Sequence, residues 1–98
     1  MTVTDINVAV IGAGSWGTTV AALAAENTPT VLWARRSELA AQINDAQVNL
    51  EYLPAFVLPD ELRATDSLAD AVSHADVVVM AVPSHGYRDV AVEAAQWI

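Results

Sequence analysis

The sequence has 98 residues, of which 54% are hydrophobic and 16% charged, and its 12 acidic residues against 4 basic ones give a net charge of −8. This length suits one small domain, the apolar content excludes a disordered chain, and the acidic balance argues against nucleic acid or an anionic membrane as a partner. Because the sequence has no cysteine, no signal peptide and no apolar run of ~18 residues, we expect a cytoplasmic protein without disulfides or thiol chemistry.

Short apolar segments alternate along the chain with segments of helical periodicity. Strands are predicted at residues 6–11, 30–34 and 76–82, with a weaker, shorter one at 62–65. The unbroken run of apolar, mostly β-branched residues in 76–82 is typical of a strand that is buried on both faces. The segment 47–60 contains two prolines and is predicted to be a long loop.

Four helices are predicted between and after these strands. The first spans residues 15–26 and places Trp16, Val20 and Leu23 on one face. Serine residues are predicted to cap the next two helices, Ser37 directly and Ser67 through an S-x-x-D capping box. The last helix carries four residues at helical spacing, which are Tyr87, Val90, Ala94 and Trp97.

This alternation indicates right-handed βαβ units and a parallel sheet. We predict an α/β, Rossmann-like fold with helices on both faces of the sheet, in which 76–82 is the fourth strand of a 3-2-1-4 order. The chain stops in mid-pattern at Trp97-Ile98 without a helix stop signal. We therefore expect residues 1–98 to be a partial domain, truncated before the sheet is complete, with a bare strand edge that favours self-association.

The six-residue segment from Gly12 to Gly17 matches the pattern G-x-G-x-x-G. It follows the first predicted strand and opens a helix, which is the context that a dinucleotide-binding motif requires. In that motif Gly12 permits the tight turn, Gly14 lets a pyrophosphate approach the backbone, and Gly17 lets the helix pack closely on the sheet. The free N–H groups near Ser15 and Trp16 would face the anion. The alternative is a purely structural glycine-rich turn.

Two arginines, Arg35 and Arg36, follow the second predicted strand, where a site for NAD usually carries an acidic residue. The nearest acid, Glu38, lies in the first turn of the next predicted helix, where acids are common. Because a guanidinium can hold a phosphate through two hydrogen bonds, we predict a cofactor preference for NADP over NAD. The alternative is that one arginine stacks on the adenine, the other is a solvated surface charge, and NAD is also used.

Five segments together carry a resemblance to a known family: Gly12–Thr19, Leu32–Arg36, Asn49–Pro54, Leu58–Pro59 and Ala81–Ser84. The chain resembles the amino-terminal part of bacterial NAD(P)-dependent glycerol-3-phosphate dehydrogenase. The resemblance implies reduction of dihydroxyacetone phosphate to sn-glycerol 3-phosphate, a precursor of phospholipids. It also implies coenzyme contacts at Ser15, Trp16, Arg35, Arg36 and Tyr52, and a place beside the nicotinamide for the turn at 81–84.

The sequence contains no lysine, whereas the resemblance implies a coenzyme-side lysine, a catalytic lysine and a helical substrate domain beyond Ile98. We therefore assign no catalytic residue and expect these 98 residues alone to be inactive. A free-standing NADP-binding regulatory or redox-sensing module is the alternative, and another dehydrogenase such as a ketopantoate reductase is a third. A reading frame that continues past Ile98 into lysine-containing segments would favour the first interpretation.

The remaining polar and aromatic candidates favour structural roles. His74 is predicted to end a helix, and His85 lies in a loop after the fourth strand, so their separation predicts no metal site. The neighbouring Ser84 and His85 lack the third group that a hydrolytic triad requires. The three tryptophans are predicted to be packing residues rather than stacking platforms.

Overall fold

Four parallel strands form the central sheet of the computed structural model, which describes residues 6–52 and 56–97. The strands are β1 (Val8–Ile11), β2 (Thr30–Trp33), β3 (Leu62–Thr65) and β4 (Val77–Met80). Their order is β3-β2-β1-β4, so the chain moves outward from β1 to β3 and then crosses to the other side of β1. The predicted Rossmann-like order is therefore confirmed, and the reversal beside β1 marks where such sheets bind ligands.

The helices cover both faces of this sheet. They are α1 (Ser15–Ala25), α2 (Ser37–Ala46), α3 (Leu68–Ser73) and α4 (Ser84–Ala95). Because successive strand residues point to opposite faces, Val10 packs with α1 and α2, while Ala9 and Ile11 pack with α3 and α4. Each helix follows a strand, and the strands all end at the same edge.

The buried face of α1 differs from the predicted one. Trp16 and Leu23 are 62% and 61% exposed, so the prediction that they form the packing face is wrong. The buried positions of the helix are instead its small residues, namely Gly17, Thr18, Ala21 and Ala25. Small side chains let the helix axis approach the sheet closely, which a tryptophan between the two layers would prevent.

The capping predictions have different outcomes for the two serines. Ser67 is the N-cap of α3, and its hydroxyl accepts a hydrogen bond from the backbone N–H of Asp70 at 3.2 Å. Ser37 is wrong as a cap, because Arg36 occupies that position and Ser37 is the first residue of α2. The backbone stays extended through Arg36 and turns into the helix only after it. This places the Arg36 side chain at the entrance to α2.

The outer elements are less buried than the sequence pattern indicates. β4 lies at the edge of the described sheet and is half-buried, with Val77 46% exposed, because β1 is the strand that flanks it. In α4, Val90 and Ala94 are buried as predicted, but Tyr87 is exposed, and Trp97, which lies two residues beyond the end of the helix, is exposed as well. Among residues 6–52 and 56–97, no helix has the length and apolarity needed to cross a membrane.

The segment between α2 and β3 has no helix or strand of its own within its described residues, as predicted. It begins at Gln47, which ends α2 in the left-handed conformation with φ of 57°. The carbonyl of Gln47 accepts a hydrogen bond from the N–H of Leu58 at 2.7 Å, so the two ends of the segment meet. In addition, the amide of Asn44 donates to the carbonyl of Ala64 and accepts from its N–H, at 2.8 and 2.9 Å, which joins α2 to β3.

Candidate functional site

A cleft of about 870 Å³ opens at the carboxyl ends of β1, β2 and β4. Its position coincides with the reversal in strand order, and its size suits a cofactor or small ligand. All seven residues predicted to bind the coenzyme line it, together with Tyr52 and the turn after β4. Those seven are Gly12, Gly14, Ser15, Trp16, Gly17, Arg35 and Arg36. The fold therefore brings together residues that are as far apart in the sequence as Gly12 and Pro83.

The turn after β1 depends on a glycine at position 12. Gly12 has φ of +117°, a backbone conformation that other residues rarely adopt. Its N–H donates to the carbonyl of Trp33 at 3.1 Å, and a Cβ on it would lie 2.8 Å from the carbonyl oxygen of Ala81. Gly12 thus lets the chain leave β1 between the ends of its two neighbouring strands.

The other two glycines of the motif have different surroundings. A Cβ on Gly17 would lie 1.9 Å from the carbonyl oxygen of Gly12, so the first turn of α1 packs directly on the preceding backbone. A Cβ on Gly14 would meet no atom within 4 Å, and its φ of −72° is accessible to any residue. The described part of the chain therefore gives no internal reason for glycine at position 14. The open space lies in the cleft, where a ligand that approaches the backbone would supply the reason.

The amino terminus of α1 opens on the same cleft and carries no compensating charge. Gly14 offers no side chain to cap the helix, and the first turn contains no acidic residue. The first N–H groups of a helix have no carbonyl partners within it, and the helix dipole places positive potential there. Ser15 and Trp16 are both exposed at this end. The arrangement is suited to binding an anion such as a pyrophosphate.

The two arginines lie at the other end of the cleft and have different partners. The guanidinium of Arg35 lies over the ring of Trp33, 5.5 Å from its centroid. Arg36 forms an ion pair with Glu51, which belongs to the segment after α2. Trp33 is 8% exposed and its indole N–H donates to the carbonyl of Asp66 at 3.1 Å, so its predicted packing role is confirmed. The corresponding prediction is wrong for Trp16, which is exposed beside the cleft.

Asn49 organises the site, although the sequence analysis assigned it no role. Its side chain is fully buried, and its amide donates to the carbonyl of Ala13 at 2.9 Å and to the hydroxyl of Thr18 at 2.8 Å. Its amide oxygen accepts from the N–H of Tyr52 at 3.1 Å. Asn49 therefore ties the segment that carries Tyr52 to the glycine turn. The only signal in the sequence was its place in the segment Asn49–Pro54, since the partners lie more than 30 residues away.

Of the two histidine candidates, the structure describes the side chain of His74 only, and His74 is not among the residues that line the cleft. His74 is the C-cap residue of α3, at the helix end where it was predicted. The side chains of Ser84 and His85 lie outside the described residues, as do positions 53–55. Across the residues that are described, no cluster of three or more side chains could hold a metal ion.

Comparison with known proteins places this cleft in a family. Residues 7–98 match the sequence model of the family described as NAD-dependent glycerol-3-phosphate dehydrogenase N-terminus. The chain belongs to this family. The match covers almost the whole sequence, from the residue before β1 to the last residue, and it includes every residue assigned to the cleft.

Individual relatives agree with the family match. The chain is 51% identical over 89 residues to the NAD(P)+ glycerol-3-phosphate dehydrogenase 2 of Sphingopyxis alaskensis, a span of 91% of this chain and 27% of that relative. Among solved structures, the glycerol-3-phosphate dehydrogenase of Saccharomyces cerevisiae superposes with a TM-score of 0.88 at 30% identity, over 95% of this chain and 30% of that one. The enzyme of Coxiella burnetii superposes with a TM-score of 0.86 at 30% identity, over 95% and 29%. The chain thus spans about a quarter of the length of the curated relative.

Alanine substitution at Gly14 and at Gly17 should have different effects on the stability of this glycerol-3-phosphate dehydrogenase N-terminal chain. Gly17→Ala places a Cβ against the Gly12 carbonyl and should reduce the free energy of unfolding by about 3 kcal/mol or more. Gly14→Ala should change it by less than about 1 kcal/mol, because space and backbone conformation both accept alanine. Urea unfolding followed by circular dichroism measures both variants. Equal losses in the two would contradict the packing described for α1.

Proposed function

We propose that the chain is the coenzyme-binding portion of an oxidoreductase that reduces dihydroxyacetone phosphate to sn-glycerol 3-phosphate with NAD(P)H, a step that supplies a glycerophospholipid precursor. The observation that carries this proposal is the cleft at the carboxyl ends of the strands, where Gly14 borders open space beside an uncapped, acid-free helix terminus. Membership in the glycerol-3-phosphate dehydrogenase family supports the reaction.

In this proposal the glycine turn and α1 hold the pyrophosphate of the coenzyme. Gly12 and Gly17 keep the turn close to the sheet and to the helix, and Gly14 leaves room for the phosphates to approach the backbone. The N–H groups of Ser15 and Trp16 donate to the anion. The exposed indole of Trp16 and the ring of Tyr52 border the same cleft and would contact the coenzyme.

Arg35 and Arg36 are proposed to receive the 2′-phosphate that distinguishes NADP from NAD. They follow β2 after one intervening residue, Ala34, and both line the cleft. A site specific for NAD usually places an acid for the ribose 2′-hydroxyl at the end of this strand. A guanidinium donates two parallel hydrogen bonds to phosphate, and the pairing is charge-assisted. We therefore propose that NADPH is preferred and that NADH is also accepted.

The chemical step needs groups that these 98 residues do not contain. The coenzyme supplies the hydride, and the protein must orient the carbonyl and protonate the developing alkoxide. The sequence has no lysine, whereas the family resemblance implies a catalytic lysine. We propose that residues 1–98 form part of the NAD(P)-binding domain and that the catalytic groups and the substrate site lie elsewhere in the enzyme.

Calorimetric titration of NADPH and NADH into the chain tests the coenzyme site. Both should bind, NADPH more tightly, and Gly14→Ala should weaken both by about tenfold or more, because a Cβ would occupy space left for the phosphates. The double substitution of Arg35 and Arg36 to Glu should weaken NADPH by about tenfold and NADH by much less. Binding of neither nucleotide to the folded chain would refute the function, and equal losses for both would refute the role of the arginines.

Activity of these 98 residues by themselves is expected to be absent. The rate of NADPH or NADH oxidation is followed by the loss of absorbance of the reduced nicotinamide. When dihydroxyacetone phosphate is added, this rate should not exceed that of a blank without protein. The reason is that the alkoxide needs a proton donor, and the catalytic lysine that the family resemblance implies is not among these residues, since the sequence has no lysine. Turnover above the blank, retained through repeated purification, would overturn this expectation.

We also propose that the chain self-associates through β4. This strand has one partner within the described sheet, and its first residue, Val77, is 46% exposed. An unpaired strand edge offers N–H and carbonyl groups to a second copy. Sedimentation velocity should show a dimer or larger species that grows with concentration, and Val77→Lys should shift the distribution toward monomer. A single monomeric species at all concentrations would contradict the proposal.

A further inference from the structure

We propose that Glu51 sets the discrimination between NADPH and NADH by competing with the 2′-phosphate for Arg36. The inference rests on the proposed coenzyme function and assigns one residue within that site. The juxtaposition is unexpected from the sequence, because Glu51 lies in an irregular segment 15 residues after Arg36 and is not part of β2 or its turn. The carboxylate that is missing after β2 is thus supplied from another segment, beside the cleft and next to Arg36, which lines it.

The carboxylate of Glu51 pairs with the guanidinium of Arg36, and both side chains remain about half exposed, at 45% and 53%. The pair is therefore accessible to solvent, and its arginine, which lines the cleft, is accessible to a ligand there. Exposed ion pairs contribute little stability and exchange readily. A partner with more charge, such as a phosphate, can replace the carboxylate on Arg36 without disturbing the fold.

The backbone around Glu51 is held in place on both sides. The N–H of Leu50 donates to the side-chain oxygen of Gln42 at 2.8 Å, and the N–H of Tyr52 donates to the side-chain oxygen of Asn49 at 3.1 Å. Gln42 belongs to α2, and Asn49 is fully buried against the glycine turn. Glu51 is thus presented to Arg36 from a fixed segment, and its negative charge stays near the arginine even when the ion pair opens.

The two coenzymes meet this arrangement differently. A 2′-hydroxyl carries no charge, so NADH leaves the Arg36–Glu51 pair as it is. A 2′-phosphate carries between one and two negative charges, and it must displace Glu51 from Arg36 and then remain near the displaced carboxylate. Arg35 lies over Trp33 instead and is the second cation at this end of the cleft. Glu51 therefore lowers the preference for NADPH that the two arginines would otherwise produce.

The test compares Glu51→Gln with the parent chain by calorimetric titration of both nucleotides. NADPH affinity should rise about fivefold because a like charge near the phosphate is removed, whereas NADH affinity should change by less than about twofold. Glu38→Gln is the matched control, since Glu38 lies in the first turn of α2 beside Arg36 and forms no ion pair with it in the described structure. Its ratio of NADPH to NADH affinity should stay within about twofold of the parent.

Two further measurements distinguish the pair from a general change of charge. In the background Arg36→Gln, the added Glu51→Gln should raise NADPH affinity by less than about twofold, because the competition needs the arginine. Raising the salt from about 0.05 M to about 0.5 M should shrink the gain from Glu51→Gln, since exposed charges are screened.

Three outcomes would overturn the inference. The first is an unchanged affinity ratio in Glu51→Gln, and the second is an equal gain in the Glu38→Gln control. The third is a selective loss of NADH binding, which would make Glu51 an acceptor for the 2′-hydroxyl. These outcomes all require that the parent chain binds nucleotide. Failure of the folded parent to bind either one refutes the proposed function and, with it, this role of Glu51.

Discussion

The contact between the first turn of α1 and the backbone of Gly12 is the constraint on which the rest of the site depends. No side chain fits between Gly17 and the Gly12 carbonyl, and none fits between Gly12 and the end of β4. These close approaches bring the helix terminus, the β1 turn and the end of β4 to one side of the cleft. The small buried residues farther along α1 continue the same close packing over the sheet. The small residues on the buried face of α1 and the geometry of the cleft therefore have one physical cause.

The segment after α2 also contributes to the site, and the buried side-chain amide of Asn49 connects this segment to the glycine turn. Asn49 satisfies a carbonyl of the glycine turn and the hydroxyl of Thr18, so neither polar group is buried without a partner. Through its oxygen it also fixes the backbone at Tyr52. Tyr52, which lines the cleft, is thus fixed relative to the glycine turn, although the segment that carries it belongs to no strand or helix. The buried hydrogen bonds of Asn49 therefore stabilise the fold and also fix the position of residues that line the cleft.

Most of the fold was predictable because it depends on local patterns. The four strands, the four helices and the strand order follow from periodicity and from the handedness of βαβ units. The prediction failed where a local pattern competes with packing distance. Helical spacing places Trp16 and Leu23 on one face of α1, and this face was predicted to pack on the sheet. The short distance between α1 and the sheet leaves room only for small side chains, so a different face is buried. Ser37 has a side chain that can cap a helix, and a helix capped by it would begin at residue 38. The backbone instead stays extended only as far as Arg36, so Ser37 is already the first residue of α2.

The candidate site was predictable in the same uneven way. The glycine motif and the arginine pair are contiguous in the sequence and follow strands, so their meeting at the sheet edge could be expected. The roles of Asn49 and Glu51 could not, since each depends on contacts across a segment without regular structure. No periodicity relates Asn49 to Thr18 or Glu51 to Arg36. Such contacts become visible only when the path of the chain between α2 and β3 is known.

Within the segment from Asn49 to Tyr52, neighbouring residues have different structural roles. Asn49 is buried and holds the fold together, whereas Leu50, Glu51 and Tyr52 are exposed and contribute little to the core. Substitutions at the exposed positions therefore change the free energy of unfolding little, whereas a substitution at Asn49 lowers it. Single changes at these exposed positions can therefore alter the surface beside the cleft and keep the same folded framework. The evolvability of this surface is thus a consequence of where one asparagine is anchored.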